Sequence, residues 1–403
     1  MFQTRKGLWR LLALLMAATL LMAACGDDDD EGGGQEEDGG TKRTVAIGFV
    51  GPLTGDNANL GINIRNGARM AIDEANAEGD LDVRLVLKDF DTQGDPAQAQ
   101  TLKDDFINDE EIVAIVGPTF SGETKAVIPD LQTAEMAMIS ASATNTELPT
   151  VVEGQTVFHR VVPDDAVQGA ALADYISKEL QAQKIAFVHD NSDYGKAVAE
   201  GTRDFLVEEL QVDAVLTEAI DPRGQDYSAA VNKVKAAAPD AVFYGGYYAE
   251  AGRLKKQLTD AGVEAVFLSG DGSLDVGFVE SGGVAGTEGA QVTCACNFPT
   301  PESEGELGEF ATRYKEKFKR DPGTYSPEGY DAANILINGI RAGNDDRASL
   351  LEYVENEVGT YEGVSKTIEF EDNGNVKATE VYAYEYKGGK IVNLGKIEEL
   401  VGG

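Results

Sequence analysis

The chain has 403 residues, of which 42% are hydrophobic, which excludes wholesale disorder and leaves room for two domains. Its formal net charge of −36, from 34 Lys and Arg against 70 Asp and Glu, excludes nucleic acid and anionic lipid surfaces as favourable partners. The acidic residues are spread along the whole chain, so they describe a heavily solvated surface and not a charged tail.

The first segment, 1–25, carries Arg5, Lys6 and Arg10, an apolar run over 11–21, and then Met22-Ala23-Ala24-Cys25. This layout resembles a bacterial lipoprotein signal, in which Cys25 is lipidated and becomes the first mature residue. An uncleaved anchor or a plain secretory signal is the alternative, although a spanning helix needs about 20 apolar residues and this run is shorter. Residues 26–43 are acidic and Gly-rich with nothing to bury, and they are expected to form a disordered tether. No later stretch is long and apolar enough to span a bilayer. The mature protein is therefore expected outside the cytoplasm, on the outer face of the cytoplasmic membrane, held there by lipid alone.

From Thr44 the chain alternates apolar strands with amphipathic helices, the pattern of α/β architecture. Strands are expected at 45–50, 83–87, 112–116 and 137–139, and helices near 64–75, 96–106 and 123–134. A second series follows, with a helix at 166–180, strands at 185–189, 212–217, 241–244 and 265–268, and helices near 198–206, 227–237 and 249–261. Helices at 304–318 and 329–342 come next, with another opening near Asp346. The end, 366–370 and 381–386 with Asn373-Gly374 between them, reads as a β-hairpin. Two lobes built from the same kind of unit imply a cleft between them.

Enzyme signatures are missing: the chain has no Walker A sequence, GxSxG elbow, HExxH or Rossmann GxGxxG after the first strand. The two histidines, His159 and His189, sit in apolar runs at strand ends and read as structural. Cys294 and Cys296 form a CxC without further metal ligands, which points to a structural role, bridged or reduced. No catalysis, cofactor or metal is expected.

Two turns following strand ends carry the binding chemistry, since open α/β sheets place ligands there. In the first, Gly117, Pro118 and Gly122 shape a turn ahead of a helix, with Ser121 at its start. The second, 140–145, offers Ser142 and Thr144. Hydroxyls and free N–H groups at a helix start suit a carboxylate; Ser121 as a helix cap and 140–144 as an ordinary loop remain the alternative. Opposite them, Tyr194, Tyr247, Tyr248 and Asp271 follow strand ends of the second series. Together they outline a pocket for a zwitterion, with the anion at the hydroxyl turns and the cation at Asp271.

The stretches TVAIGFVGPLTGDNANLG, DFDTQGDPAQA, AIVGPTFSGET, MISASATNTEL, IAFVHDNSDYGKA, DAVFYGGYYAEAGRLKKQL, FLSGDGS and SPEGYDAANIL resemble, in that order, the leucine/isoleucine/valine-binding proteins of branched-chain amino-acid ABC importers. The resemblance implies two Rossmann-like lobes with central parallel sheets, joined by three crossings, that close over one amino acid. It divides the chain into 44–160 with 295–362 and 161–294 with 363–403. It implies that Ser121 and Thr144 hold the α-carboxylate, that the Ser142 carbonyl and Asp271 take the α-ammonium, and that Tyr194 and Tyr247 cover the ligand. Leu60, Thr119, Phe120 and Tyr325 fall where side-chain specificity is set. Asp91 or its neighbours and Phe120 stand where the family has a first-lobe disulfide, and Asp271 is a methylene shorter than the usual Glu. The expected function is a monomeric, non-enzymatic receptor delivering leucine, isoleucine or valine to a membrane permease. The same fold leaves open short amides, urea or aromatic acids as ligands, or a role as a ligand sensor.

Overall fold

The computed structural model describes residues 42–402. The expected signal, Cys25 and all but the last two residues of the tether lie outside the described residues. Ordered structure begins slightly earlier than expected, because β1 (Arg43–Gly51) pairs with β2 (Val83–Asp91) from Arg43 onward. No helix among the described residues is long and apolar enough to cross a membrane.

β1 and β3 (Ile112–Val116) are buried along most of their length. Such continuous apolar runs suit parallel strands covered on both faces. With β4 (Ala137–Ser140) and β5 (Phe158–Arg160) they form a five-stranded parallel sheet in the order β2-β1-β3-β4-β5. Helices α1 (Ala58–Glu78), α2 (Pro96–Ile107) and α3 (Ser121–Thr133) make its connections. Strand order reverses at β1/β3, which places the loops after both strands at a crevice.

The second sheet has seven strands, in the order β14-β13-β10-β9-β8-β6-β7. β6 (Lys184–His189), β7 (Asp213–Ala219), β8 (Ala241–Gly245), β9 (Val266–Ser269) and β10 (Gln291–Cys294) run parallel. They alternate with α4 (Asp165–Asp174), α5 (Asp193–Leu210), α6 (Ser228–Ala237), α7 (Tyr248–Asp260), α8 (Val276–Gly282) and α9 (Val284–Thr287). Here the order reverses at β6/β8. The motif tyrosines follow these two strands because α5 and α7 start there.

The chain then returns to the first sheet. α10 (Gly305–Phe318), α11 (Ser326–Arg341) and α12 (Arg347–Asn356) follow β10, and α11 packs on α1 with Gly329 against the Ile64 backbone. β11 (Thr360–Glu362) and β12 (Thr367–Glu369) pair antiparallel with each other.

The expected terminal hairpin is the one element the structure corrects outright. Its second strand, β13 (Tyr382–Lys387), pairs antiparallel with β14 (Lys390–Lys396), a strand absent from the sequence reading, and α13 (Ile397–Val401) follows. Gly388 and Gly389 form the turn, both with positive φ (58° and 76°), the backbone a two-residue turn of the I′ type demands. Asn373-Gly374 instead makes a small turn docked on β5, where the Arg160 N–H donates to the Gly374 carbonyl at 3.0 Å.

Cys294 and Cys296 are joined by a disulfide, with Cα atoms 5.0 Å apart. His159 is buried against Phe370 and burial lowers its pKa to about 4, so it sits there as a neutral ring. The His189 Nδ1 accepts from the Asn191 N–H at 3.1 Å.

Candidate functional site

The first turn is built by Glu123. α3 starts at Ser121 with Phe120 as its cap residue, and the Glu123 carboxylate reaches back to accept from the Phe120 N–H at 2.9 Å while the Thr92 hydroxyl donates to its other oxygen. Burial pushes Glu123 up to about 7. Ser121 is therefore the first helical residue and not the cap, and its Oγ accepts from the Asn145 N–H of the second turn at 3.3 Å.

That second turn is tied to the first at two more points. The Ser140 hydroxyl donates to the Pro118 carbonyl at 2.8 Å, and the Ser142 hydroxyl donates to the Thr119 carbonyl at 2.6 Å. Arg160, fully buried at the end of β5, donates to the carbonyls of Ala143 at 3.1 Å and Asn145 at 2.8 Å. Of the hydroxyls on the two turns, those of Thr119 and Thr144 are left without a partner among the described residues. Asp91, where the resemblance placed part of a disulfide, accepts from Leu53, Gln93 and Thr54 instead. Burial opposes its ionisation, but these bonds hold it below the usual carboxylate range.

On the other side, Asp271 follows β9 and is 2% exposed. Its Oδ1 accepts from Gln168 Nε2 at 2.6 Å and the Tyr194 hydroxyl at 2.9 Å, and its Oδ2 accepts from the Tyr325 hydroxyl. Burial raises its pKa, and these three donors counteract the rise. The Tyr247 ring centroid lies 4.1 Å from that of Phe120 and 5.3 Å from that of Tyr194, tilted by 30° and 37°, so it bridges the lobes.

One small cavity gathers these groups. It is lined by Leu60, Thr119, Phe120, Ser121, Ser142, Tyr194, Tyr247, Asp271, Gly272 and Tyr325. Of the residues expected to line the pocket, Thr144 and Tyr248 are not on its wall. Thr144 lies fully buried with its hydroxyl unpartnered among the described residues, as do both carboxylate oxygens of Asp165. Burial, and then the charge of Asp271, raise Asp165 well above its ordinary pKa. Tyr248 stands off the cavity, where its hydroxyl accepts from the Asn59 N–H at 3.1 Å.

Four residues that position this site were missed in the sequence: Glu123, Arg160, Asp165 and Gln168. The available signal was a polar side chain interrupting an apolar periodicity, as Gln168 and Asp165 do among the alanines of α4.

The cavity holds about 10 Å³, on the order of one water, so an organic ligand enters only when the lobes part. Outside it the lobes are latched by Asn57 Nδ2 to Glu250 Oε2 at 3.0 Å, Asn59 Nδ2 to Asp275 Oδ1 at 2.8 Å, and Asn145 Nδ2 to the Asp193 carbonyl at 2.8 Å. The arrangement can clamp a zwitterion. It presents no nucleophile–base pair.

A model described as periplasmic binding protein matches residues 44–390. The chain belongs to that family. As a periplasmic binding protein it is a solute-binding transport component and not an enzyme. The Leu/Ile/Val-binding protein homolog 3 of Brucella melitensis is 28% identical over 352 residues, 87% of this chain and 93% of the relative. An amino acid binding protein of Pseudomonas aeruginosa is 30% identical over 354 residues, 85% of this chain and 90% of its own length. The branched-chain amino acid transporter substrate binding protein LivJ from Streptococcus pneumoniae, solved in complex with isoleucine, is similar with a TM-score of 0.78 at 27% identity, covering 87% of this chain and 100% of LivJ.

Proposed function

We propose that this periplasmic binding protein is the extracytoplasmic receptor of an ABC importer, lipid-anchored through Cys25, that captures leucine, isoleucine or valine as a monomer and delivers it to a membrane permease. The observation that carries the reading is the opposed chemistry of one buried cavity: the Ser121 hydroxyl at the start of α3 and the Ser142 hydroxyl on the second turn on one side, Asp271 without a cation partner on the other, and tyrosine rings between. A free α-amino acid has the matching pair of charges. The relatives named for leucine, isoleucine and valine, and LivJ with isoleucine, support the side-chain class.

In this reading Ser121 and Thr144 take the carboxylate, Asp271 and the Ser142 carbonyl take the ammonium, and Tyr194 and Tyr247 close over both. Leu60, Thr119, Phe120 and Tyr325 shape the side-chain pocket. Ligand contacts from both lobes favour the closed state, which then docks on the permease. Charge is tolerated inside because each ionic group meets hydrogen bonds or an opposite charge.

Thermal unfolding of the purified protein against single amino acids, short amides, urea and aromatic acids tests this, since a ligand bound only by the folded state raises the melting temperature. Leucine, isoleucine or valine should give the largest rise. A rise with amides or aromatic acids alone would reject the amino-acid assignment. The anchor is tested separately: Cys25→Ala should release the protein from the membrane fraction, and retention would reject lipidation there.

A further inference from the structure

Asp271 receives its three donors from different bodies. Gln168 on α4 and Tyr194 on α5 belong to helices of the second sheet. Tyr325 arrives from across the cleft, as the cap residue of α11, which packs on α1 over the first sheet. Its neighbour Thr324 donates to the Leu274 carbonyl at the other end of the same short turn, so two consecutive residues grip 271–274 from the opposite lobe. Tyr325 holds φ 68° and ψ 5°, a left-handed backbone that side chains larger than Gly or Asn seldom adopt, and its side chain is 1% exposed. A side chain needed only as an apolar wall would not require that conformation.

We propose that Tyr325 is a positioning residue for ammonium recognition, whose hydroxyl completes the Asp271 acceptor only when the lobes close. The inference rests on the reading of Asp271 as the ammonium partner and changes the role expected for Tyr325, which acts through Asp271 and not on the ligand side chain. A carboxylate has about four acceptor positions. Three are filled by neutral donors, which orient the group and leave the fourth for an N–H from the cavity. In the open state the Tyr325 donor is withdrawn with its lobe, so charge recognition and closure become one event. The titratable and charged groups facing Asp271 are Tyr194 from α5, Tyr325 at the head of α11 and Asp165 of α4, with Arg160 beyond Asp165 and Tyr247 at the side. None of those in contact is a cation. Loss of one donor therefore shifts Asp271 toward its protonated form.

The test is a double-mutant cycle with Tyr325→Phe and Asp271→Asn, singly and together, titrated with leucine and with isocaproate, its des-amino analogue, and unfolded without ligand. Tyr325→Phe should weaken leucine binding about tenfold, the scale of a hydrogen bond to a charged group, and have little effect once Asp271→Asn is present. The acid limb of leucine affinity should also move to higher pH in Tyr325→Phe, which a purely structural role would not cause. Unchanged affinity, an unmoved acid limb, or the same weakening in both backgrounds would overturn the proposal. So would coupling between the two positions in ligand-free unfolding as large as that in leucine binding, because the bond would then be made without ligand-driven closure. If Asp271→Asn weakens both ligands equally, the ammonium reading itself fails and this inference with it.

Discussion

A buried carboxylate without a cation beside it is costly, and Asp271 is held by three neutral donors in a site where the proposed ligand supplies the missing charge. Asp271→Ala should therefore cost leucine about 3 kcal/mol, roughly a hundredfold in affinity, and leave isocaproate nearly unchanged in calorimetric titration. Equal loss for both would make Asp271 structural. Glu123 carries a second expectation. Its removal orphans the Phe120 N–H and the Thr92 hydroxyl, so Glu123→Ala should lower stability by about 1–3 kcal/mol in denaturant unfolding. A loss well below that range would mean water replaces the carboxylate. Ser121, Tyr194, Tyr247 and Asp271 were legible in the sequence because each follows an apolar strand directly. Gln168 and Asp165 were not, because they sit on a helix whose small residues hide which face is buried. Arg160 belongs to a three-residue strand too short to show a period.

Elements that repeat as strand and helix were read close to their observed limits, since buried parallel strands are continuous apolar runs. The hairpin was misplaced because Asn-Gly is a strong turn signal and Gly388-Gly389 an equally good one in a polar stretch; only tertiary pairing with β10 decides between them. The resemblance motifs VHD…YG and FYGG also acquire a physical reason. A Cβ at Gly245 would lie 2.0 Å from the Gly195 carbonyl, so the two glycines let α5 start directly against the end of β8, and Tyr194 and Tyr247 come within reach of each other. Gly245→Ala should displace that contact, lowering the melting temperature and weakening leucine binding together. Unchanged binding would show that the tyrosine pair does not depend on it. The latch acts differently from the cavity: Asn59→Ala removes the side-chain bond to Asp275, which no ligand touches, and should weaken all ligands by the same few-fold factor. A loss confined to one ligand would place Asn59 in recognition.

For the whole molecule, the acidic excess meets a set of buried carboxyls with raised pKa values. Burial pushes Glu123, Glu250 and Asp331 up to about 7 and Asp190 to about 6. A raised value means the folded protein keeps protons that the unfolded chain has released, so between the ordinary carboxylate range and about pH 7 stability falls as pH rises. His159 works against acid, because its folded pKa of about 4 lies below the ordinary 6.5 and the neutral ring's contribution is lost as pH falls between them. Depressed carboxylates such as Asp91 and Asp109 lose theirs at lower pH still. The four raised carboxyls outweigh the single histidine, so the melting temperature should rise from about pH 8 toward about pH 5 and fall only below about pH 4, where the depressed carboxylates protonate. A monotonic rise to pH 8 would show that the buried carboxyls ionise without cost. The central claim, that the two lobes close on a zwitterionic amino acid, is tested most directly by a crystal structure of the protein grown with leucine. It should show the carboxylate on Ser121 and Thr144 and the ammonium on Asp271, with Tyr194 and Tyr247 over the ligand. Leucine with its ammonium turned away from Asp271, or bound outside the cleft, would contradict the account.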